Sequence, residues 1–128
     1  MSRLTPSQKL RQRISGLEQE LKSEHEGMRY AALSLLKGRR DVETMEILIE
    51  ALRSEFPDVR CGAIRQLGRI DTKRVIGLLI QALKDENEAA RWLAAEALGR
   101  IGSEEAVVPL TQMLSLGSFG FKRRSSIN

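Results

Sequence analysis

The chain holds one cysteine, Cys61, and one histidine, His25. A lone cysteine excludes an internal disulfide and fits a reducing compartment. One His and one Cys are also a poor supply for a metal site, which needs several convergent ligands. His25, beside Glu26, reads as a solvated loop residue, and Cys61 as a small residue facing neighbouring helices. Aromatic residues make up only 4%, so a core must be built from Leu, Ile, Val and Ala. No apolar run approaches the roughly 18 residues of a membrane span. The opening MSRLTPSQKL lacks the apolar core of a signal peptide, and the expected location is cytoplasmic. There is no glycine-rich phosphate loop and no Ser-His-Asp set. The expectation is a protein that is not an enzyme and carries no cofactor and no metal.

What the sequence does contain is a repeat. Arg29, Arg60 and Arg91 are spaced 31 residues apart, as are Ala32, Ala63 and Ala94. The leucine columns Leu36/Leu67/Leu98, Leu48/Leu79/Leu110 and Leu52/Leu83/Leu114 hold the same register without a gap. The third copy is the clearest. Arg91, Ala94, Ala95, Leu98 and Ile101 fall on one side of a helix. Gly102 stops that helix, Ser103 can cap the next, and Val107, Leu110 and Leu114 repeat the spacing. Each copy therefore reads as two short amphipathic helices joined by a tight turn, and a fixed period of this length means stacked units.

Three repeats are expected over about 26–55, 57–86 and 88–116. A helix over 1–22 precedes them, opened by Thr5-Pro6-Ser7-Gln8 as cap, first helical residue and capping box. Its Ile14, Leu17 and Leu21 share columns with Met45, Leu48 and Leu52, so it takes the second-helix place of an incomplete unit and serves as a cap. Asp41 can cap the second helix of the first repeat, and Pro57 opens the second repeat. At the first turn Arg39 stands where Ile70 and Ile101 would be buried, so that turn must differ locally or Arg39 must lay its stem over the core. Residues 117–128 read as a C-terminal cap, with Phe119 and Phe121 over the open end, and a basic tail.

The third repeat, with Ala94-Ala95, Ala97-Leu98-Gly99, Ile101-Gly102 and Val107-x-Pro109-Leu110, resembles the HEAT-like repeats named after phycobilisome lyases, over roughly Glu26 to Leu116. The resemblance implies an all-α, right-handed α-solenoid of helical hairpins, and it implies partners that are other proteins, a phycobiliprotein among the candidates. It also implies that an Asp six residues before the repeat arginine ties adjacent turns together. Asp85 and Arg91 match that pair, whereas Ser23 and Ser54 stand at the other two places. The ladder Arg29, Arg60, Arg91 and Asp85 is thus expected to be structural and complete once. The His-Glu pairs of the family's di-iron hydroxylase have no counterpart, since Cys61-Gly62 and Trp92-Leu93 fill those positions. A phycobilin lyase-like subunit is the alternative that the resemblance brings.

In HEAT-like stacks the second helices line the concave side. The exposed columns there hold Glu43, Glu46 and Glu50, then Arg74 and Gln81, then Glu105 and Gln112, a mixed groove with an acidic first third. Tyr30 and Trp92 share a first-helix column with Cys61, and Trp is enriched among interface hot spots. These residues are the candidate protein-binding set. Net charge is +4, with +3 over residues 1–22, +3 in the tail from Gly117 and −2 over the repeats between. That distribution and the glutamate column argue against a dedicated nucleic-acid face. A non-catalytic adaptor or scaffold is the expected function, with a nucleic-acid accessory role through the basic termini as a second alternative.

Overall fold

A computed structural model describes residues 3–70 and 72–116. Within them lie seven α-helices and no strand: α1 Pro6–Glu20, α2 Glu26–Leu36, α3 Val42–Ala51, α4 Pro57–Leu67, α5 Lys73–Ala82, α6 Glu88–Ile101 and α7 Val107–Leu116, the last preceded by a 3-10 turn, Glu104–Ala106. First helices stack on first helices, α2 on α4 and α4 on α6, while α1, α3 and α5 pack against the first helix that follows each of them. Two layers result, an all-α solenoid with its core between them.

The helix ends follow from local chemistry. Thr5 and Gln8 form a reciprocal capping box, with Gln8 N–H donating to Thr5 Oγ1 at 3.1 Å and Thr5 N–H to Gln8 Oε1 at 2.8 Å. Asp41 caps α3, Thr72 caps α5, and Asn87 caps α6. Pro57 occupies the first turn of α4, where its missing N–H costs nothing. Gly102 ends α6 in the left-handed conformation with φ 71°, and its N–H donates to the Leu98 carbonyl. The first turn does differ from the others: Gly38 takes φ +81°, and Arg39 turns its guanidinium onto the turn, with Nε 3.1 Å from Thr44 Oγ1 and Nη2 3.1 Å from Asp41 Oδ1.

The core is aliphatic throughout. Leu36, Leu48, Leu67, Leu79, Leu83 and Leu98 are fully buried, with Ala32, Ala63 and Ala94 between them. Small residues set the closeness of the first-helix layer. A Cβ built on Gly68 would lie 2.7 Å from Ala97 Cβ, and one on Gly62 2.6 Å from Leu33 Cδ1. One leucine departs from its column. Leu114 was expected beside Leu52 and Leu83, yet it is 65% exposed and Met113 is buried instead. The 3-10 turn before α7 accounts for this. Three residues at 120° rather than 100° advance the helix phase by about 60°, so the inward face moves from Leu114 to Met113. The expected Phe119 and Phe121 cap and the basic tail lie outside the described residues.

Candidate functional site

The arginine column bonds to backbone within the stack, in a pattern that differs from the expected one. Each arginine donates from Nη1 to the backbone carbonyl six residues before it: Arg29 to Ser23 at 2.9 Å, Arg60 to Ser54 at 2.7 Å and Arg91 to Asp85 at 2.8 Å. The carboxylate rungs run forward along the stack, to the first turn of α4 at Asp58 and to the loop before α6 at Asp85. Arg60 grips Asp85 through Nε at 2.9 Å and Nη2 at 3.1 Å, so the Asp85 side chain serves Arg60 rather than Arg91. Arg29 holds Asp58 through Nε and Nη2 and lies 3.9 Å over the Phe56 ring. Among the described residues the Arg29 and Arg60 rungs are formed, where the expected pair was Asp85 with Arg91. Asp58 escapes a fixed-register reading because it stands four positions after Ser54, in the first turn of α4, where a carboxylate also suits the helix N-terminus. The Asp85 carboxylate raises the Arg60 pKa further above its ordinary value, more than burial lowers it.

Cys61 is half-buried on α4, with its S–H donating to Asn87 Oδ1 at 3.7 Å. Burial first, and the Asp85 charge second, push its thiol pKa up. A raised pKa keeps the sulfur protonated near neutrality and makes it a weak nucleophile. His25 is exposed at the N-cap position of α2 and gives that helix no side-chain cap. Among the described residues no three His, Cys, Asp or Glu side chains cluster to hold a metal ion. Among the described residues no helix is long and apolar enough to cross a membrane.

The second-helix columns share one surface, as cross-helix pairs show. Arg11 of α1 lies 3.6 Å from Glu43, and Arg74 of α5 lies 3.1 Å from Glu46. The acidic third of the groove is thus answered from both sides, leaving Glu50 without an ion pair among the described residues. Glu50, Gln81, Glu105 and Gln112 are exposed. Glu50 and Gln112 line two hollows two repeats apart, of about 230 and 520 Å³. Leu21, Lys22 and Ala51 in the first correspond to Leu83, Lys84 and Met113 in the other. Such hollows at matching register are the gaps that neighbouring second helices leave at their C-terminal ends.

The first-helix layer carries the more distinctive groove. A hollow of about 400 Å³ runs between α2 and α4, with Tyr30 and Cys61 along it, Glu26 and Asp58 at one end, and Lys37, Arg65 and Arg69 at the other. Tyr30 is 72% exposed. A smaller hollow shares Lys37 and Arg69 and adds Arg40. No ion pair engages Lys37, Arg40, Arg65 or Arg69 among the described residues. Asp58, by contrast, is occupied by Arg29. Trp92 is exposed on α6, one repeat beyond Cys61 and outside this groove.

Fold separates charges that the sequence totals cancel. Lys37, Arg40, Arg69, Lys73 and Arg100 sit at the turns within repeats, although Glu104 and Glu105 follow at the third. Glu24, Glu26, Glu55, Asp58, Asp85, Glu86 and Glu88 sit at or beside the loops between repeats, and outnumber Lys22, Arg53 and Lys84 there. The first two turns, even with Asp41, are therefore net basic and the inter-repeat loops net acidic, and the α2–α4 groove spans from one to the other.

Compared with known families, the chain matches HEAT repeats over residues 14–76 and again over 45–127. None of the curated proteins compared with it matches.

Proposed function

This chain belongs to the HEAT repeats family, whose members generally mediate contacts between proteins, and we propose that it is a small non-catalytic adaptor that binds an acidic segment of a partner protein in the groove between α2 and α4. One observation carries this reading. Three cations, Lys37, Arg65 and Arg69, line one end of the groove and Arg40 the adjoining hollow, none of them in an ion pair among the described residues, beside an exposed tyrosine. Unpaired cations steer an acidic ligand and fix its register. A tyrosine supplies amphipathic contact area at small entropic cost. The second-helix face offers less, because Glu43 and Glu46 already face Arg11 and Arg74. Those surface pairs are worth little in stability, but they cancel the field that would recruit a basic partner.

A fluorescein-labelled peptide of alternating Glu and Leu, titrated with the full chain, tests the reading. Arg65→Glu with Arg69→Glu should weaken binding about tenfold or more, whereas Glu46→Lys with Glu50→Lys should leave it within about twofold. The reverse ranking would place recognition on the second helices. An oligonucleotide bound more tightly than the peptide, with a steep salt dependence, would move the chain to the nucleic-acid class. The lyase-like alternative, which rests on the third-repeat motif from Ala94 to Leu110, would gain from a visible absorption band retained after the chain is mixed with a bilin and desalted.

A further inference from the structure

At both repeat junctions the later first helix packs on the earlier one, α4 on α2 and α6 on α4. Register fixes which residues face backwards: Val59, Gly62 and Gln66 in α4, and Ala90, Leu93 and Ala97 in α6. Val59, Gly62, Ala90 and Ala97 are buried. Gln66 Nε2 donates to the Leu33 carbonyl at 2.7 Å. The same three positions of α2 are Met28, Ala31 and Leu35, spaced i, i+3, i+7 along one face. All three are exposed, Met28 at 45% and Leu35 at 57%.

The adjoining second helix tells the same story. Leu17 of α1 is partly exposed, although Leu48 and Leu79 in its column are buried to 1% and 0%. Arg13 is exposed where Thr44 and Val75 are buried. Among the described residues α3 and α5 each follow a first helix of their own repeat, and α1 does not. The uncovered faces of α1 and α2 therefore border one open first-helix position.

We propose that this position docks a single amphipathic α-helix of a partner protein, seated on α2 as α2 is seated on α4. The site is distinct from the acidic-segment groove, which lies on the other side of α2. Its occupant is set by three features. Because α1 already stands in the second-helix place, one helix fits and a hairpin does not. End-on stacking of a second copy is disfavoured for the same reason, since its α7 would compete with α1. Ala31 is small where Gly62 receives Leu33, so the incoming helix presents a branched aliphatic side chain opposite it. Arg13 has no ion pair among the described residues, and a carboxylate on the incoming helix answers it.

The chain's own α2 supplies the probe: a labelled peptide of residues 23–38, in which Leu33 is the outward aliphatic and Lys37→Glu places a carboxylate at the end that register sets near Arg13, as Thr44 lies beside the turn after α2. A hydrocarbon staple on its outer side keeps it helical, since free peptides of this length are marginal helices. Fluorescence anisotropy against the full chain should show saturable binding. Leu35→Glu in the protein, or Leu33→Asp in the peptide, should weaken it about tenfold or more, and Arg13→Glu about threefold. Leu35 is exposed in the free chain, so Leu35→Glu should leave the melting curve unchanged. Absence of saturable binding, or binding indifferent to Leu35→Glu, would overturn the proposal. So would sedimentation showing an oligomer of the chain alone that Leu35→Glu dissociates, because the occupant would then be a second copy.

Discussion

Glycine at 62 and glycine at 68 do different work, although both lie where first helices come closest. A methyl at Gly62 meets the end of the Leu33 side chain, which can turn aside; one at Gly68 meets Ala97 Cβ at 2.7 Å and the Ile64 carbonyl oxygen at 3.1 Å. Neither has a positive φ, so approach rather than backbone freedom is what each position requires. Gly68→Ala should destabilise by about 1–3 kcal/mol as an overpacked contact. Gly62→Ala should stay within about 1 kcal/mol of wild type, because helix propensity offsets the strain. Urea melts of the two variants check this ranking, and equal losses would contradict the packing described. Asp41 adds a pH dependence. Burial raises its pKa, but the hydroxyl and amide of Thr44 and the charge of Arg39 outweigh that, leaving it below its ordinary 3.8. Because the native state holds the charged form better, the contribution is complete above the ordinary pKa and is lost as pH falls through the lowered native value. Asp41→Ala should cost about 1 kcal/mol at pH 7, with the gap to wild type closing only below about pH 4. A gap of constant size from pH 7 to pH 2 would show the carboxylate charge to be irrelevant there.

At the scale of helices, the caps were legible because capping chemistry is local. Thr5-Gln8, Asp41, Pro57, Gly102 and Ser103 each act within three residues of the end they set. The arginine rungs were only half legible. Position in the repeat singled out Arg29, Arg60 and Arg91 as a column, but the direction of its bonds could not be read from it, and the Asp85 carboxylate binds Arg60. Asp58 substitutes for a serine at a shifted position, a solution in space that no column records. Leu114 failed for a related reason: a three-residue 3-10 turn alters helix phase without altering spacing. The α1 helix is the element whose role is most testable. Ile14 and Leu21 are buried against α2 and α3, so removing residues 1–22 should uncover Met45, Leu48 and Leu52. The shortened chain should melt lower and self-associate at micromolar concentration, as exposed apolar patches do. A monomer with an unchanged melting curve would reassign α1 from cap to arm.

Seen whole, the molecule is two helical layers with a charge separation that runs across its edges. Net charges summed along the chain hid this, since net basic first and second turns are interleaved with net acidic loops. The fold class needed only periodicity; the groove between α2 and α4 needed the angle and spacing of two helices, which periodicity does not contain. Tyr30 was visible as a candidate, but Lys37, Arg40, Arg65 and Arg69 became one only when two separate segments were brought side by side. Trp92 lies on α6 outside that groove, and of the second-helix glutamates Glu43 and Glu46 are already paired. The central claim is that partner recognition lies in the first-helix groove. Hydrogen–deuterium exchange of the chain with and without a partner captured from its host addresses this most directly. Protection should concentrate in residues 30–37, from α2 into the turn after it, together with 61–69, from α4 into the turn after it. Protection confined to α3, α5 and α7, with α4 unchanged, would contradict it.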